Sequence, residues 1–176
     1  MPARPVVTPD EAEGGAVRSE VRLARLTEGL LPELLACAVA DADPLEVMPP
    51  VAGPDGWTNE RRQSFLRFHR SRALAPEPVE DTYVILLAGR AAGAARLCPL
   101  DDAVEAGIWI GRSHRGQGVG TAVLTQLADL ARARGARRLY ASTTAGNAPM
   151  RRILADLGAT LSRDGDEVAA WLDLHP

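Results

Sequence analysis

The chain has 176 residues, the usual length of one domain and enough to bury a core without a metal or a disulfide. Hydrophobic residues make up 46% and charged residues 24%, and no apolar run approaches the ~20 residues of a membrane span. The composition therefore argues against a disordered or membrane-spanning protein. All 20 basic residues are arginine, which indicates a GC-rich genome, and the net charge of -3 argues against nucleic acid as a main partner.

The first 19 residues are rich in proline, glycine, alanine and acids, and they lack the charged-then-apolar layout of a signal peptide. We therefore expect a flexible tail over residues 1–19 and a single cytoplasmic domain over residues 20–176. Cys37 and Cys98 are far apart and form no C-x-x-C pair, which argues against a disulfide framework or a zinc site. The three histidines have no Cys or His partner at ligand spacing, so we expect no metal.

The first half of the chain predicts a strand and two helices. Alternating apolar residues indicate an edge strand over 21–26, and a short apolar segment indicates a helix over 32–40. Residues 44–56 contain many prolines and glycines and predict a loop. Thr58 can cap a helix that runs to Leu74, with Phe65, Leu66 and Phe68 facing inward. The solvated outer face of this helix is expected to carry Arg61, Arg62, Arg67, Arg70 and Arg72.

The second half predicts strands around two further helices. A strand meander is expected over 82–88, 91–97 and 104–111, with a turn at Gly89-Arg90 and a break at Pro99. Apolar residues at three- and four-residue spacing predict a helix from Gly116–Gly120 to Gly135. A strand over 139–143 follows, and then Asn147 can cap a helix that Gly158 closes. Residues 159–162 and 168–172 predict a final hairpin.

The glycines at 116, 118 and 120 follow a predicted strand and open a predicted helix. Glycines allow a tight turn and leave backbone amides accessible at the positive end of the helix dipole, which favours an anion. The other interpretation is a helix entry that needs only tight turns. A Walker A loop would need a lysine, and a dinucleotide-binding fingerprint would need a third glycine where Thr121 stands.

The segment Arg115-Gly116-Gln117-Gly118-Val119-Gly120 matches in full a family signature: Gln or Arg, two residues, Gly, one residue, then Gly or Ala. On this segment, and on the order of elements from Val21 to Leu172, the chain resembles the GNAT family of N-acetyltransferases. Asn147 and Met150 with Gly158 are similar to a second segment of several bacterial members. The resemblance implies an α+β fold with a mixed, mostly antiparallel sheet, flanked by helices and splayed between its fourth and fifth strands, here 104–111 and 139–143.

The resemblance also implies acetyl-CoA as the acyl donor and direct acetyl transfer to an amine in a ternary complex. Backbone groups near Trp109, Ile110 and Gly111 would hold the pantetheine, and the amides of Gly116–Gly120 would hold the pyrophosphate. The resemblance thereby implies a cofactor-binding set of Trp109, Ile110, Gly111, Arg115, Gly116, Gln117, Gly118, Val119, Gly120, Asn147 and Met150.

An amine must lose a proton before it can attack, so the family mechanism needs a base. Glu105 resembles the acidic residue that many members place on this strand, and two-residue periodicity puts it on one face with Gly107 and Trp109. Its other interpretation is a solvated acid at a strand start. Many relatives carry a tyrosine, the acid for the leaving thiolate, where this chain has Leu154. Tyr140 and Tyr83 are either substitutes or packing residues.

Family members select the acceptor mainly through the first helices and their loop, here about Leu31–Leu74. Acidic residues in this segment suit a cationic amine, and Asp41, Asp43 and Trp57 are candidate substrate contacts, although Trp57 also suits a core or lid. We expect a small molecule, an antibiotic or a peptide or protein amine as the acceptor, and a monomer or homodimer. The alternatives are a non-catalytic acyl-CoA sensor of the same fold, which Leu154 would permit, and a mononucleotide-binding module.

Overall fold

The structure is a computed structural model and describes residues 20–175. The predicted tail over residues 1–19 lies outside the described residues. The strands are β1 Val21–Arg25, β2 Asp81–Leu87, β3 Arg90–Leu100, β4 Ala103–Ile110, β5 Arg138–Thr144, β6 Thr160–Asp164 and β7 Glu167–Asp173. The helices are α1 Leu31–Asp41, α2 Pro44–Val47, α3 Asn59–Ala73, α4 Val119–Ala133 and α5 Ala148–Asp156, with a 3-10 turn at Arg112–His114.

The strands form one sheet in the order β1-β2-β3-β4-β5-β7-β6, with β4 and β5 as its parallel pair. That pair is short: Ala103 pairs with Arg138, Val104 with Leu139 and Glu105 with Tyr140. Beyond Glu105 the two strands separate, while β4 stays paired with β3 as far as Ile110. The expected mixed sheet, splayed between its fourth and fifth strands, is confirmed.

Two hydrophobic clusters cover the two faces of the sheet. Successive residues of β2 point to opposite faces, so Ile85 belongs to one cluster and Val84 to the other. Leu127 of α4 packs in the first cluster, and Phe65 of α3 packs in the second. Within residues 20–175, no helix has the length and apolar character that a membrane crossing needs.

The predicted loop over 44–56 is wrong at its start, where the chain forms the short helix α2. Asp43 caps this helix by accepting a hydrogen bond from the Leu45 amide at 2.9 Å, and the Glu46 carboxylate accepts one from the Asp43 amide at 3.4 Å. This is a capping box with a proline in the first turn, where a missing N–H costs nothing. The surrounding prolines and glycines hide this signal in the sequence.

The predicted break at Pro99 is also wrong, because β3 continues to Leu100 and Pro99 pairs with Val104. The first residue of β2, Asp81, pairs with Leu97. Among the described residues, the strand near Pro99 therefore pairs with β4 alone, and proline is tolerated at such an edge position.

The predicted outer face of α3 is wrong for Arg61, which is only 7% exposed. The buried residues of α3 recur every four positions, and Arg61 is the first of them. Its guanidinium donates to the carbonyl oxygens of Val51 at 2.9 Å and Gly56 at 2.7 Å, and also to that of Pro54. The buried charge is thus satisfied by the loop over 51–56, which it holds against the helix.

Candidate active site

The glycine turn has the backbone conformation that an anion-binding turn requires. Gly116 and Gly118 have φ values of +73° and +83°, in the left-handed region that side chains disfavour, and Gly118 caps α4. Apart from the glycine itself and its chain neighbours, no described atom lies within 4 Å of where a Cβ would stand at either position. The first turn of the 15-residue helix α4 is therefore open to an incoming anion.

Side chains of the motif fasten this turn to its surroundings. The Arg115 Nε donates to the Ile110 carbonyl at 2.9 Å, and its guanidinium pairs with Glu46 at 3.2 Å. The Gln117 amide donates to the Ser113 carbonyl at 3.1 Å. Both side chains therefore hold the turn in place.

Asp41, predicted as a substrate contact, fastens the end of α1 to the 3-10 turn. Its carboxylate accepts from the Ser113 hydroxyl at 2.6 Å and from the Ser113 amide at 3.1 Å. The hydroxyl hydrogen bond is the main cause that lowers the pKa of Asp41 below its ordinary value. A Cβ on Gly111 would clash with the Asp41 carboxylate, so a side chain there would displace Asp41 from its contacts with Ser113.

A cleft of about 630 Å³ opens beside the glycine turn, along the part of β4 that has separated from β5. Of the predicted cofactor residues, Gly111 and Gln117 are outside its lining, and the others line it. Those lining residues are Trp109, Ile110, Arg115, Gly116, Gly118, Val119, Gly120, Asn147 and Met150. The prediction missed the lining residues Glu46, Ile108, His114, Thr121, Pro149, Arg152 and Ile153. The helical spacing of Pro149, Arg152 and Ile153 is the signal that could have revealed three of them.

The helix α5 presents one side to this cleft and another to the core. Asn147 accepts a hydrogen bond from the Met150 amide at 3.2 Å, so the predicted cap is confirmed. Leu154 is 2% exposed and packs in the first hydrophobic cluster. Tyr140 packs on Trp171 with ring centroids 4.9 Å apart, and Tyr83 is buried. These three side chains stand outside the cleft lining.

A second cavity of about 260 Å³ lies on the face of the sheet that α3 covers. Its lining includes Phe68 and His69 of α3, together with Arg96 of β3. Glu46, Ile108 and Trp109 line both this cavity and the cleft. The two spaces therefore share a border at the separated half of β4.

An ion-pair network forms one end of the smaller cavity. Glu80, 3% exposed, pairs with Arg72 at 2.8 Å and with Arg96 at 3.7 Å. Arg96 also pairs with Glu105 at 2.5 Å. A Cβ on Gly107 would come within 2.6 Å of the Arg96 Nε, so the glycine lets the guanidinium cross the strand. Glu105 lies on the same face of β4 as Gly107 and Trp109, as expected, and its carboxylate lies beside Arg96. It lines neither the cleft nor the smaller cavity.

Comparison with known proteins agrees with this geometry. The model of the acetyltransferase (GNAT) family matches residues 47–159, well over half of the chain. The chain belongs to the GNAT family. This assignment makes it an N-acetyltransferase, as the glycine signature predicted. A comparison with curated proteins gave no match.

Solved structures share the fold of this GNAT chain. Mycobacterium smegmatis RimJ in complex with CoA-disulfide has a TM-score of 0.70 at 22% identity, over 87% of this chain and 81% of RimJ. The GNAT domain of S. lividans PAT has a TM-score of 0.66 at 21% identity, over 87% and 89% of the two chains. The putative acetyltransferase yncA from Salmonella typhimurium, solved with its cofactor acetyl-CoA, has a TM-score of 0.63 at 18% identity, over 89% and 95%.

The GNAT chain buries a neutral histidine in the smaller cavity. His69 is 4% exposed and lies between Phe65 and Phe68, at 4.5 Å and 5.2 Å between ring centroids. Neither ring nitrogen has a hydrogen-bond partner within residues 20–175. Burial lowers the pKa of His69 to about 4, although the nearby Glu80 carboxylate acts in the opposite direction. The imidazole is therefore neutral at pH 7.

This burial makes the stability of the GNAT fold depend on pH. The unfolded chain protonates His69 near pH 6.5, whereas the folded chain does so only near pH 4. The unfolded state therefore binds more protons between these values, and the free energy of unfolding should fall by about 3 kcal/mol as the pH drops from 6.5 to 4. Urea unfolding of wild type and His69→Phe across this range measures the contribution. Parallel curves for the two proteins would contradict it.

The other two predicted acceptor contacts, Asp43 and Trp57, make structural contacts near the smaller cavity. Asp43 caps α2, which carries the lining residues Glu46 and Val47. The Trp57 indole donates to the Ala42 carbonyl at 2.9 Å, and its ring lies edge-on to Phe65. Asp41, Asp43 and Trp57 stand outside the linings of both spaces.

Proposed function

We propose that this protein transfers the acetyl group of acetyl-CoA directly to the primary amine of a small molecule, an antibiotic, a peptide or a protein. The observation that carries the proposal is the wall of Glu46, Ile108 and Trp109, which borders both spaces. A donor in the cleft and an acceptor in the smaller cavity would meet at this wall. Such an arrangement brings two reactants together before reaction, the main requirement of direct transfer.

The larger cleft suits acetyl-CoA. Left-handed glycines at the start of α4 offer backbone amides to a pyrophosphate, and the exposed Arg152 adds a positive charge to the lining. The edge of β4 that has separated from β5 runs past Ile108, Trp109 and Ile110 beside the cleft, where the pantetheine would lie along it. When bound, acetyl-CoA supplies an acetyl thioester, which is already activated for attack by an amine.

Two carboxylates compete to accept the proton of the amine. Family resemblance favours Glu105, which would act through an intervening water because it lies beyond the cavity lining. Geometry favours Glu46 as the second candidate, because it lines the wall where the two spaces meet. Both carboxylates are paired with an arginine, Glu105 with Arg96 and Glu46 with Arg115.

We expect Glu105→Gln to lower kcat/KM on the order of 100-fold near neutral pH, the usual scale for a general base. The defect should shrink as the pH rises, because more of the amine is then already neutral. Full pH profiles of kcat/KM, with acetyl-CoA affinity measured alongside, separate lost proton transfer from lost binding. Glu46→Gln is the matched variant. A pH-dependent defect in that variant, with a normal Glu105→Gln, would transfer the role to Glu46.

A screen of thiol release from acetyl-CoA against amines and peptides tests the function as a whole. Turnover with any amine would support the transferase and exclude a sensor. Tight acetyl-CoA binding without turnover across a broad panel would overturn the proposed function and favour the sensor.

A further inference from the structure

Ser113 links the end of α1 to the glycine turn through each of its polar groups. Its amide and its hydroxyl donate to the Asp41 carboxylate, at 3.1 Å and 2.6 Å. Its carbonyl accepts a hydrogen bond from the Gln117 side chain at 3.1 Å. Gln117 stands between the left-handed Gly116 and Gly118. A continuous chain of hydrogen bonds therefore runs from the last residue of α1 to the turn that opens α4.

The Asp41 carboxylate is fixed from two sides. Both of its oxygens accept from the Ser113 amide, and one also accepts from the hydroxyl. Hydrogen bonds to a charged acceptor are stronger than neutral ones. On another side the carboxylate lies against Gly111, where a Cβ would clash with it. Gly111 has φ -52° and ψ 142°, which other residues adopt without strain, so this clash comes from Asp41 and not from the backbone.

The charge of Asp41 is unfavourable for an anion at the glycine turn. A carboxylate near a bound pyrophosphate weakens its binding by Coulomb repulsion. The hydrogen bonds of Asp41 act in the other direction if they hold the turn in its binding conformation. Repulsion and positioning therefore predict opposite effects on acetyl-CoA affinity when the carboxylate is removed.

We propose that Asp41 is a positioning residue for acetyl-CoA, which acts through Ser113 to fix the glycine turn in the conformation that receives the pyrophosphate. This inference rests on the proposed function, since it takes the glycine turn as the pyrophosphate site. It replaces the expected role of Asp41 as a contact of the acceptor amine. Backbone amides that are already in place bind an anion without the cost of ordering a turn at each binding event.

Asp41→Ala is expected to bind acetyl-CoA about tenfold more weakly than wild type, the lower end of the scale for hydrogen bonds to a charged group. Calorimetric titration measures this affinity. Two fragments of the cofactor locate the loss: adenosine 3′-phosphate 5′-diphosphate keeps the pyrophosphate, and S-acetylpantetheine lacks it. The nucleotide should lose about as much affinity as acetyl-CoA, and S-acetylpantetheine should lose none. Unchanged or tighter binding of acetyl-CoA, or equal losses for both fragments, would overturn the inference.

Glu33→Ala is the matched control. Glu33 lies on the same helix, and its carboxylate accepts a hydrogen bond from the Ala91 amide of β3 at 3.0 Å. It therefore also joins α1 to the sheet, but at a residue outside the 3-10 turn and the glycine turn. Glu33→Ala should cost similar stability in urea unfolding and leave acetyl-CoA affinity unchanged. An equal loss of affinity in both variants would show a general loosening of α1 and overturn the inference.

Ser113→Ala tests the same contact from its other partner. Ser113 is exposed, so the variant should fold, and it loses the hydroxyl bond while it keeps the amide bond. We expect a loss of acetyl-CoA affinity smaller than that of Asp41→Ala. The double variant should lose no more than Asp41→Ala alone, because both changes remove one interaction. Losses that add in full, or normal affinity in Ser113→Ala, would overturn the role of Ser113 as the link.

Comparison with Gly118→Val, which alters the turn directly, separates failure of this inference from failure of the proposed function. Weaker acetyl-CoA binding in Gly118→Val beside normal binding in Asp41→Ala would retain the turn as the cofactor site and overturn the inference. Normal binding in both variants would overturn the cofactor site itself, and the inference with it.

Discussion

Gly118→Val is expected to fold and to bind acetyl-CoA at least about 100-fold more weakly than wild type. Gly118 has a φ of +83°, and a β-branched residue there is strained by a few kcal/mol or moves out of the left-handed region. Either result disturbs the first turn of α4, whose amides are the proposed pyrophosphate site. The added side chain would also occupy open space at the cleft. Calorimetric titration of the folded variant with acetyl-CoA measures the loss.

Gly135→Val is the matched control for this variant. Gly135 has a φ of +79° with open space around its Cβ position, but it follows the C-terminal end of α4 and lies outside the cleft lining. Its substitution should cost similar stability and leave acetyl-CoA affinity unchanged. Unchanged affinity in Gly118→Val, or an equal loss in both variants, would contradict the assignment of the glycine turn as the cofactor site.

Leu154→Ala should lower the free energy of unfolding by ~2 to 5 kcal/mol. Leu154 is 2% exposed in the core, although its neighbours Met150 and Ile153 line the cleft. Removing its side chain leaves a cavity among packed residues, so stability should fall while chemistry persists in the folded fraction. Urea unfolding gives the stability, and turnover well below the unfolding temperature gives the chemistry.

Leu154→Met and Leu154→Tyr complete this test. Methionine conserves volume and should cost less than ~1.5 kcal/mol. Tyrosine, which many relatives carry at this position, should overpack the core and bring no gain in rate. A faster Leu154→Tyr enzyme beside a stable alanine variant would show that the position faces the cofactor after all.

Features whose causes are local in the chain could be predicted. Positive φ at Gly116 and Gly118 follows from a glycine turn before a helix, and the caps at Thr58 and Asn147 are local side-chain chemistry. The separation of β4 from β5, in contrast, could not be predicted from any local pattern in the sequence. It came from resemblance to a family, because no periodicity in the chain shows where two parallel strands stop pairing.

The features that the sequence did not reveal depend on distant partners. Arg61 looks like any surface arginine until the carbonyls of the loop over 51–56 surround it. The smaller cavity is assembled from α2, α3 and three neighbouring strands, so no single segment carries its pattern. Glu80 and His69 are polar residues in ordinary contexts, and only the fold buries them together.

The contacts of Arg61 bear on the entropy that the protein would lose when a ligand binds in the smaller cavity. They do so because they order part of its wall during folding. Carbonyls of the loop over 51–56 converge on one guanidinium, and the capped helix α2 precedes this loop. Met48, a wall residue of the smaller cavity, lies between these two fixed points. Folding therefore orders this segment of the wall before any ligand binds. A preorganised wall of this kind recognises shape at little cost in affinity, whereas a mobile one would have to be ordered at each binding event.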